Sequence, residues 1–182
     1  MAINNSTKEV DAPRSRFIDG KWQCKNLAFL VEFMQAAHLS TTKMAEITGY
    51  TRQSIVFWLN SDNASLKKLE NVFTKLGYKL EMELVKEAAV RPTHNTFITL
   101  AAPENESGMN LNTCVRLMFL VKAMAKYNFN IMDITRKTGM TRTAVAHWFN
   151  ADDILIGNIF NVAEAFGLTL NTTISPIDNS SV

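Results

Sequence analysis

The sequence predicts a mainly α-helical protein made of two tandem copies of one four-helix unit, each ending in a short β-strand. Three observations predict it. The ten residues from Thr51 to Asn60, Thr-Arg-Gln-Ser-Ile-Val-Phe-Trp-Leu-Asn, return ninety residues later as Thr141 to Asn150, Thr-Arg-Thr-Ala-Val-Ala-His-Trp-Phe-Asn. Apolar residues around both segments recur at helical spacing. After Gly77 and Gly167 the period drops to two, as in a half-buried strand.

Residues 1–21 mix Asn, Ser, Asp, Pro and Arg with little periodicity and read as an arm with a turn at Asp19-Gly20. Arg14, Arg16 and Lys21 make that arm a candidate for phosphate or minor-groove contact, or for packing on its own domain. In residues 22–86, Leu27, Leu30, Val31 and Met34 form one stripe of a first helix, and Leu117, Leu120, Val121 and Met124 repeat it in residues 112–176. A polar break at residues 38–42 precedes a second helix near 42–48, with Met44 and Ile47 expected to face inward. Gly49 ends it, because a tight turn needs a residue that tolerates positive φ. Thr51 then supplies an N-cap oxygen to a third helix that buries Ile55, Trp58 and Leu59. A fourth helix closes the core with Leu66, Leu69, Val72, Phe73 and Leu76, matched by Ile156, Ile159, Val162 and Phe166.

The closing strands alternate Tyr78, Leu80, Met82 and Leu84 with Lys79, Glu81 and Glu83, and Leu168, Leu170 and Ile174 with Thr169, Asn171 and Thr173. Positions 27–84 and 117–174 share about 16 identities, concentrated at core, turn and cap positions, which is the mark of a duplication. Between the copies, residues 87–111 carry Pro92, Pro103, Glu104 and Glu106 and read as a linker with one ordered piece at 96–101. Residues 177–182 read as a tail.

A chain of 182 residues that is 47% hydrophobic and 20% charged has the composition of a soluble globular protein. No apolar run approaches the roughly 18 residues needed to span a bilayer, and Met1 to Lys8 is polar where a secretory signal needs an apolar core, so a cytoplasmic protein without a membrane partner is expected. Cys24 and Cys114 are too few for a disulfide framework and lack zinc-ligand spacing; they read as small buried thiols at matching helix starts, or as a redox pair. Neither a metal nor another cofactor is expected. His38, His94 and His147 fall in different elements without a nucleophile, and no phosphate-cradling glycine loop is present, so catalysis finds no support. The formal net charge of +2 is too small to announce nucleic acid by itself.

The motif resembles the helix-turn-helix of the lambda repressor and Cro family, also called the Xre family. Counted from the turn glycine, that motif has an apolar residue five before, a small one four before, and apolar residues one, six and nine after. The first copy offers Met44, Ala45, Tyr50, Ile55 and Trp58. The second offers Ile134, Thr135, Met140, Val145 and Trp148, with Thr135 replacing the small residue. The resemblance covers about two thirds of the chain and implies two lambda repressor-like helix-turn-helix domains in tandem, in a prokaryotic transcription regulator. A strand after the last helix is similar to one that antitoxin repressors of the family use for pairing. By that analogy strand 78–85 pairs antiparallel with strand 168–174, making the chain an intramolecular pseudo-dimer.

On this reading helices 51–60 and 141–150 enter the major groove of double-stranded DNA, with their N-terminal residues at the base edges. Arg52 and Arg142 suit guanine O6 and N7, and Gln53 suits adenine; Thr143 suits a thymine methyl or a phosphate. Thr51, Thr141, Asn60 and Asn150 are candidate phosphate contacts, the two asparagines because the resemblance assigns that part to the residue closing the recognition helix. Phe57 fits a thymine methyl, packing under the next loop, or a protein-binding surface, and His147 fits either the groove or solvent. The rival reading is a protein-interaction or antitoxin-like module that binds DNA weakly or not at all. A homodimer or a protein partner stays open on both.

Overall fold

A computed structural model describes residues 16–86 and 114–177. The linker piece at 96–101, Arg14, His94 and the tail beyond Ile177 lie outside the described residues. Those described form eight helices and two small antiparallel sheets. A hairpin, β1 (Phe17–Ile18) and β2 (Lys21–Trp22), precedes α1 (Ala28–Ala36), α2 (Thr41–Thr48), α3 (Arg52–Ser61), α4 (Leu66–Lys75) and β3 (Tyr78–Val85). The second half repeats the order with α5 (Met118–Lys126), α6 (Ile131–Thr138), α7 (Arg142–Ala151), α8 (Ile156–Ala165) and β4 (Thr169–Pro176). Among the described residues no helix is long and apolar enough to cross a membrane.

Local chemistry sets the boundaries. Ser40, Thr51 and Ser65 each accept the amide three residues on, and Asn130 forms a reciprocal capping box with Asp133. Gly49 and Gly139 end α2 and α6 at φ 75° and 72°, the left-handed conformation the tight turn requires. The stripes Leu27, Leu30, Val31, Met34 and Leu117, Leu120, Val121, Met124 are buried as expected, as are Ile55, Trp58, Leu59 and Val145, Trp148, Phe149.

Two expectations about the interior fail. Ile47 is 40% exposed, and the inward position in the last turn of α2 belongs to Thr48, fully buried with its hydroxyl donating to the Met44 carbonyl at 2.7 Å. That bond removes the cost of burying a hydroxyl. The last fourth-helix position is only partly buried in both halves, at Leu76 and Phe166; the Phe166 ring stacks on Phe129 with centroids 4.0 Å apart. The end of the presumed arm follows one of the readings open to it. Residues 17–22 pair around the expected Asp19-Gly20 turn, and Arg16 turns back on its own domain.

At two of the places where the halves meet, the central pair of facing residues lies ninety positions apart and the other pairs are arranged symmetrically about it. Strand β3 pairs with β4 along its whole length, from Tyr78 opposite Pro176 to Val85 opposite Thr169, with Met82 opposite Thr172 at the centre. The expected antiparallel pairing is therefore present, with β4 running to Pro176. In the loops before α4 and α8, Ser65 bridges to Leu155, the Leu66 amide donates to the Ile154 carbonyl at 2.8 Å, and the Ile156 amide donates to the Ala64 carbonyl at 2.9 Å. A contact in which equivalent residues oppose one another is what a two-fold axis produces.

Side chains complete this junction reciprocally. Asn63 Oδ1 accepts the Gly157 amide at 3.1 Å, and Asp153 Oδ1 accepts the Lys67 amide at 2.9 Å, so each half caps the fourth helix of the other. Two ion pairs across the halves break the symmetry: Arg116 Nε donates to Glu70, where the positions ninety away hold Asn26 and Phe160, and Lys126 lies 4.0 Å from Glu83, where they hold Ala36 and Thr173. Burial pushes the Glu70 carboxyl above its ordinary value despite the pull of Arg116.

Candidate nucleic-acid interface

The two repeated segments occupy α3 and α7, each following a turn glycine and a threonine cap. Thr51 Oγ1 accepts the Ser54 amide at 3.1 Å and shares a hydrogen bond with the Ser54 hydroxyl; Thr141 Oγ1 accepts the Ala144 amide at 3.2 Å. These hydroxyls are exposed, but their first task is to start the helix.

With Ile55, Trp58 and Leu59 buried, the opposite face of α3 presents Gln53 and Phe57, with Arg52 at its N-terminal edge. Phe57 is 68% exposed. On α7 the exposed set is Arg142, Thr143, His147 and Asn150, over a buried face of Val145, Trp148 and Phe149. The structure thus brings each half's expected readers onto one helix face. Neither arginine forms an ion pair among the described residues, and both sit at the positive end of a helix, where an anion is favoured.

Asn60 also has a partner within its own half. Its Oδ1 accepts the Arg16 amide at 3.2 Å and its carbonyl accepts from Arg16 Nε at 3.0 Å, whereas Asn150 is exposed. Asn60, a candidate phosphate contact, thus also anchors the hairpin in the first half, through its two oxygens. Arg16, a candidate arm contact, is engaged there and also lies 3.8 Å from Asp62. The hairpin beyond it brings Phe17, Lys21 and Trp22 beside Arg52 and Val56 along one flank of α3, in a groove that also reaches Met34 and Leu39. Lys67 and Lys68 are exposed at the start of α4, with the Lys68 ammonium 5.8 Å from the Trp58 ring centre; their counterparts are Gly157 and Asn158.

No protein-family model, curated protein or solved structure matches this chain.

Residues that the periodicity did not flag hold α3 and α7 in place. Asp62 and Asp152 follow α3 and α7 in the left-handed conformation, at φ 51° and 46°. The Asp62 carboxylate is buried and accepts the amides of Lys25, Asn26 and Leu27 at 2.9 to 3.1 Å. Asp152 does the same for Arg116 and Leu117 at 3.0 to 3.1 Å. Each carboxylate therefore ties the end of α3 or α7 to the start of the first helix of its own half, satisfying donors that would otherwise be unpaired. Their identity at the ninety-residue offset was the signal available in the sequence.

The thiols do parallel work. Cys24 Sγ donates to the Leu59 carbonyl at 3.3 Å and Cys114 Sγ to the Phe149 carbonyl at 3.2 Å. Both are free, and each serves the reader helix of its own half, as small packed thiols do and redox partners do not. Burial pushes Cys24 up to about 11, helped by the Asp62 charge, and raises Cys114 as well. Among the described residues no group of three His, Cys, Asp or Glu side chains could hold a metal ion.

Proposed function

We propose that this chain is a sequence-specific double-stranded DNA-binding protein of the helix-turn-helix kind, a repressor-like transcription regulator in which both halves read DNA. The observation that carries this reading is the exposed pairing of Arg52 with Gln53 and Arg142 with Thr143 at the N-terminal ends of two short helices joined by a fixed, two-fold-like junction. An α-helix fits the major groove, and a two-fold protein meets two half-sites about one helical turn apart. On this reading the chain is a tandem of two helix-turn-helix domains and a pseudo-dimer in one polypeptide.

Arg52 and Arg142 take guanine edges, Gln53 adenine, and Thr51, Thr141 and Asn150 phosphates. The experiment is a mobility-shift titration with genomic fragments at about 50 mM salt, where phosphate contacts contribute most. Retarded complexes with selected fragments support the reading, and an absence of binding at that salt contradicts it.

One observation favours a second reading. Phe57 at 68% exposure and Ile47 at 40% leave apolar side chains on the surface of a weakly charged molecule, as an antitoxin-like or other protein-binding module would need. That reading is preferred if the chain binds no DNA.

A further inference from the structure

We infer that the DNA site this chain prefers is asymmetric, with two unequal half-sites that hold the chain in one orientation; this rests on the DNA-binding reading above. A homodimer presents two identical readers and selects an inverted repeat. Here the junction gives the readers a dimer-like relation, with Ser65 opposite Leu155 and Met82 opposite Thr172, while their exposed faces differ. Arg52 and Arg142 are shared, but Gln53 stands against Thr143 and Phe57 against His147. The flanks differ too, since Arg16 holds Asn60 in the first half while Asn150 is exposed in the second.

The chemistry of these pairs fixes what each half selects. Gln53 offers a donor and an acceptor that match adenine N6 and N7, and the exposed Phe57 ring one turn on suits the C5 methyl of thymine. Thr143 is too short to bridge an adenine edge, and a His147 ring N–H donates to an acceptor such as guanine N7 or O6. Turning the chain round would set the Phe57 ring against the acceptor that His147 needs and leave the imidazole facing a methyl group. A mismatched base pair typically costs about tenfold in affinity, so the four mismatches of the reversed orientation, two in each half, separate the orientations by up to about ten-thousandfold.

Selection from a random duplex library, with the full chain and with the variant Q53T/F57H, tests this. Both substituted side chains are exposed, and a thermal melt checks that the variant folds. Wild type is expected to enrich one site with unequal halves. Q53T/F57H is expected to enrich an inverted repeat of the half that α7 contacts, and the reciprocal T143Q/H147F an inverted repeat of the other half. Replacing the selected thymine by uracil should weaken wild type several-fold and leave Q53T/F57H unmoved. A symmetric site for wild type, or unchanged preferences in both variants, overturns the inference and leaves DNA binding standing. No enriched sequence overturns the DNA-binding reading and this inference with it.

Discussion

Ser65 and Leu155, ninety residues apart, face each other across an antiparallel bridge at the loops that follow the two reader helices. Around that pair, Asn63 and Asp153 each cap a helix belonging to the other half. Loss of a helix cap typically costs about 1 kcal/mol. Asn63→Ala and Asp153→Ala should each lower stability by about that amount in urea unfolding. No change in either midpoint would mean that the cross-caps do not hold the junction.

The strand ladder should matter more. Deleting residues 168–182 removes β4 and leaves the edge of β3 unpaired, on a strand that carries Leu80, Met82 and Leu84. An unpaired apolar strand edge recruits other chains. The truncated protein is expected to melt earlier or to self-associate in sedimentation. A monomer as stable as the full chain would show that the pairing contributes nothing.

Asp62→Ala should be among the most destabilising single substitutions outside the apolar core. It leaves the amides of Lys25, Asn26 and Leu27 without their acceptor and removes the charge at the start of α1. Hydrogen bonds to a charged group contribute about 1.5 to 3 kcal/mol each, and the set is not additive, so a loss of about 3 kcal/mol is expected by denaturant titration. Asp152→Ala should cost less, because Asp152 is less buried and receives the amides of two residues instead of three. Equal and small effects would remove both residues from the account.

Cys24 gives a pH signature. Its folded value of about 11 lies above the ordinary 9.0, so the folded state favours the protonated thiol. The stability this supplies is fully present below pH 9 and is lost as pH rises towards 11. Cys24→Ser should therefore flatten the fall in stability over that window. In native protein at pH 8, iodoacetamide should alkylate Cys24 and Cys114 far more slowly than in urea, because the thiolate is the nucleophile. Equal rates would contradict the buried, carbonyl-bonded placement.

Much of this fold was legible in the sequence, because the duplication displays each local rule twice. Thr51 with Thr141 marks the caps, Gly49 with Gly139 the turn, and the Trp58 and Trp148 spacing the buried face. The two strands followed from alternation after Gly77 and Gly167, and their pairing from the family resemblance. What escaped were contacts whose partners are distant in the chain. Arg16 meets Asn60 and Asp62 only once the first half has folded, and Asn63 meets Gly157 and Arg116 meets Glu70 only once the halves are assembled. Ile47 escaped for a different reason. The buried Thr48 satisfies its hydroxyl within its own helix, so the inward position did not have to be apolar. At the candidate interface, exposure of Arg52, Gln53, Arg142 and Thr143 followed from helical spacing. The engagement of Asn60 by the hairpin did not.

The measurement closest to the central claim is a titration of one selected duplex with wild type, Arg52→Ala and Arg142→Ala at low salt, with stoichiometry read from the same complexes. The account predicts one chain per duplex, and a loss of about tenfold in affinity for each arginine on that site, with smaller losses on unrelated sequences. A complex that needs two chains, or one that survives the loss of either arginine unchanged, would contradict it.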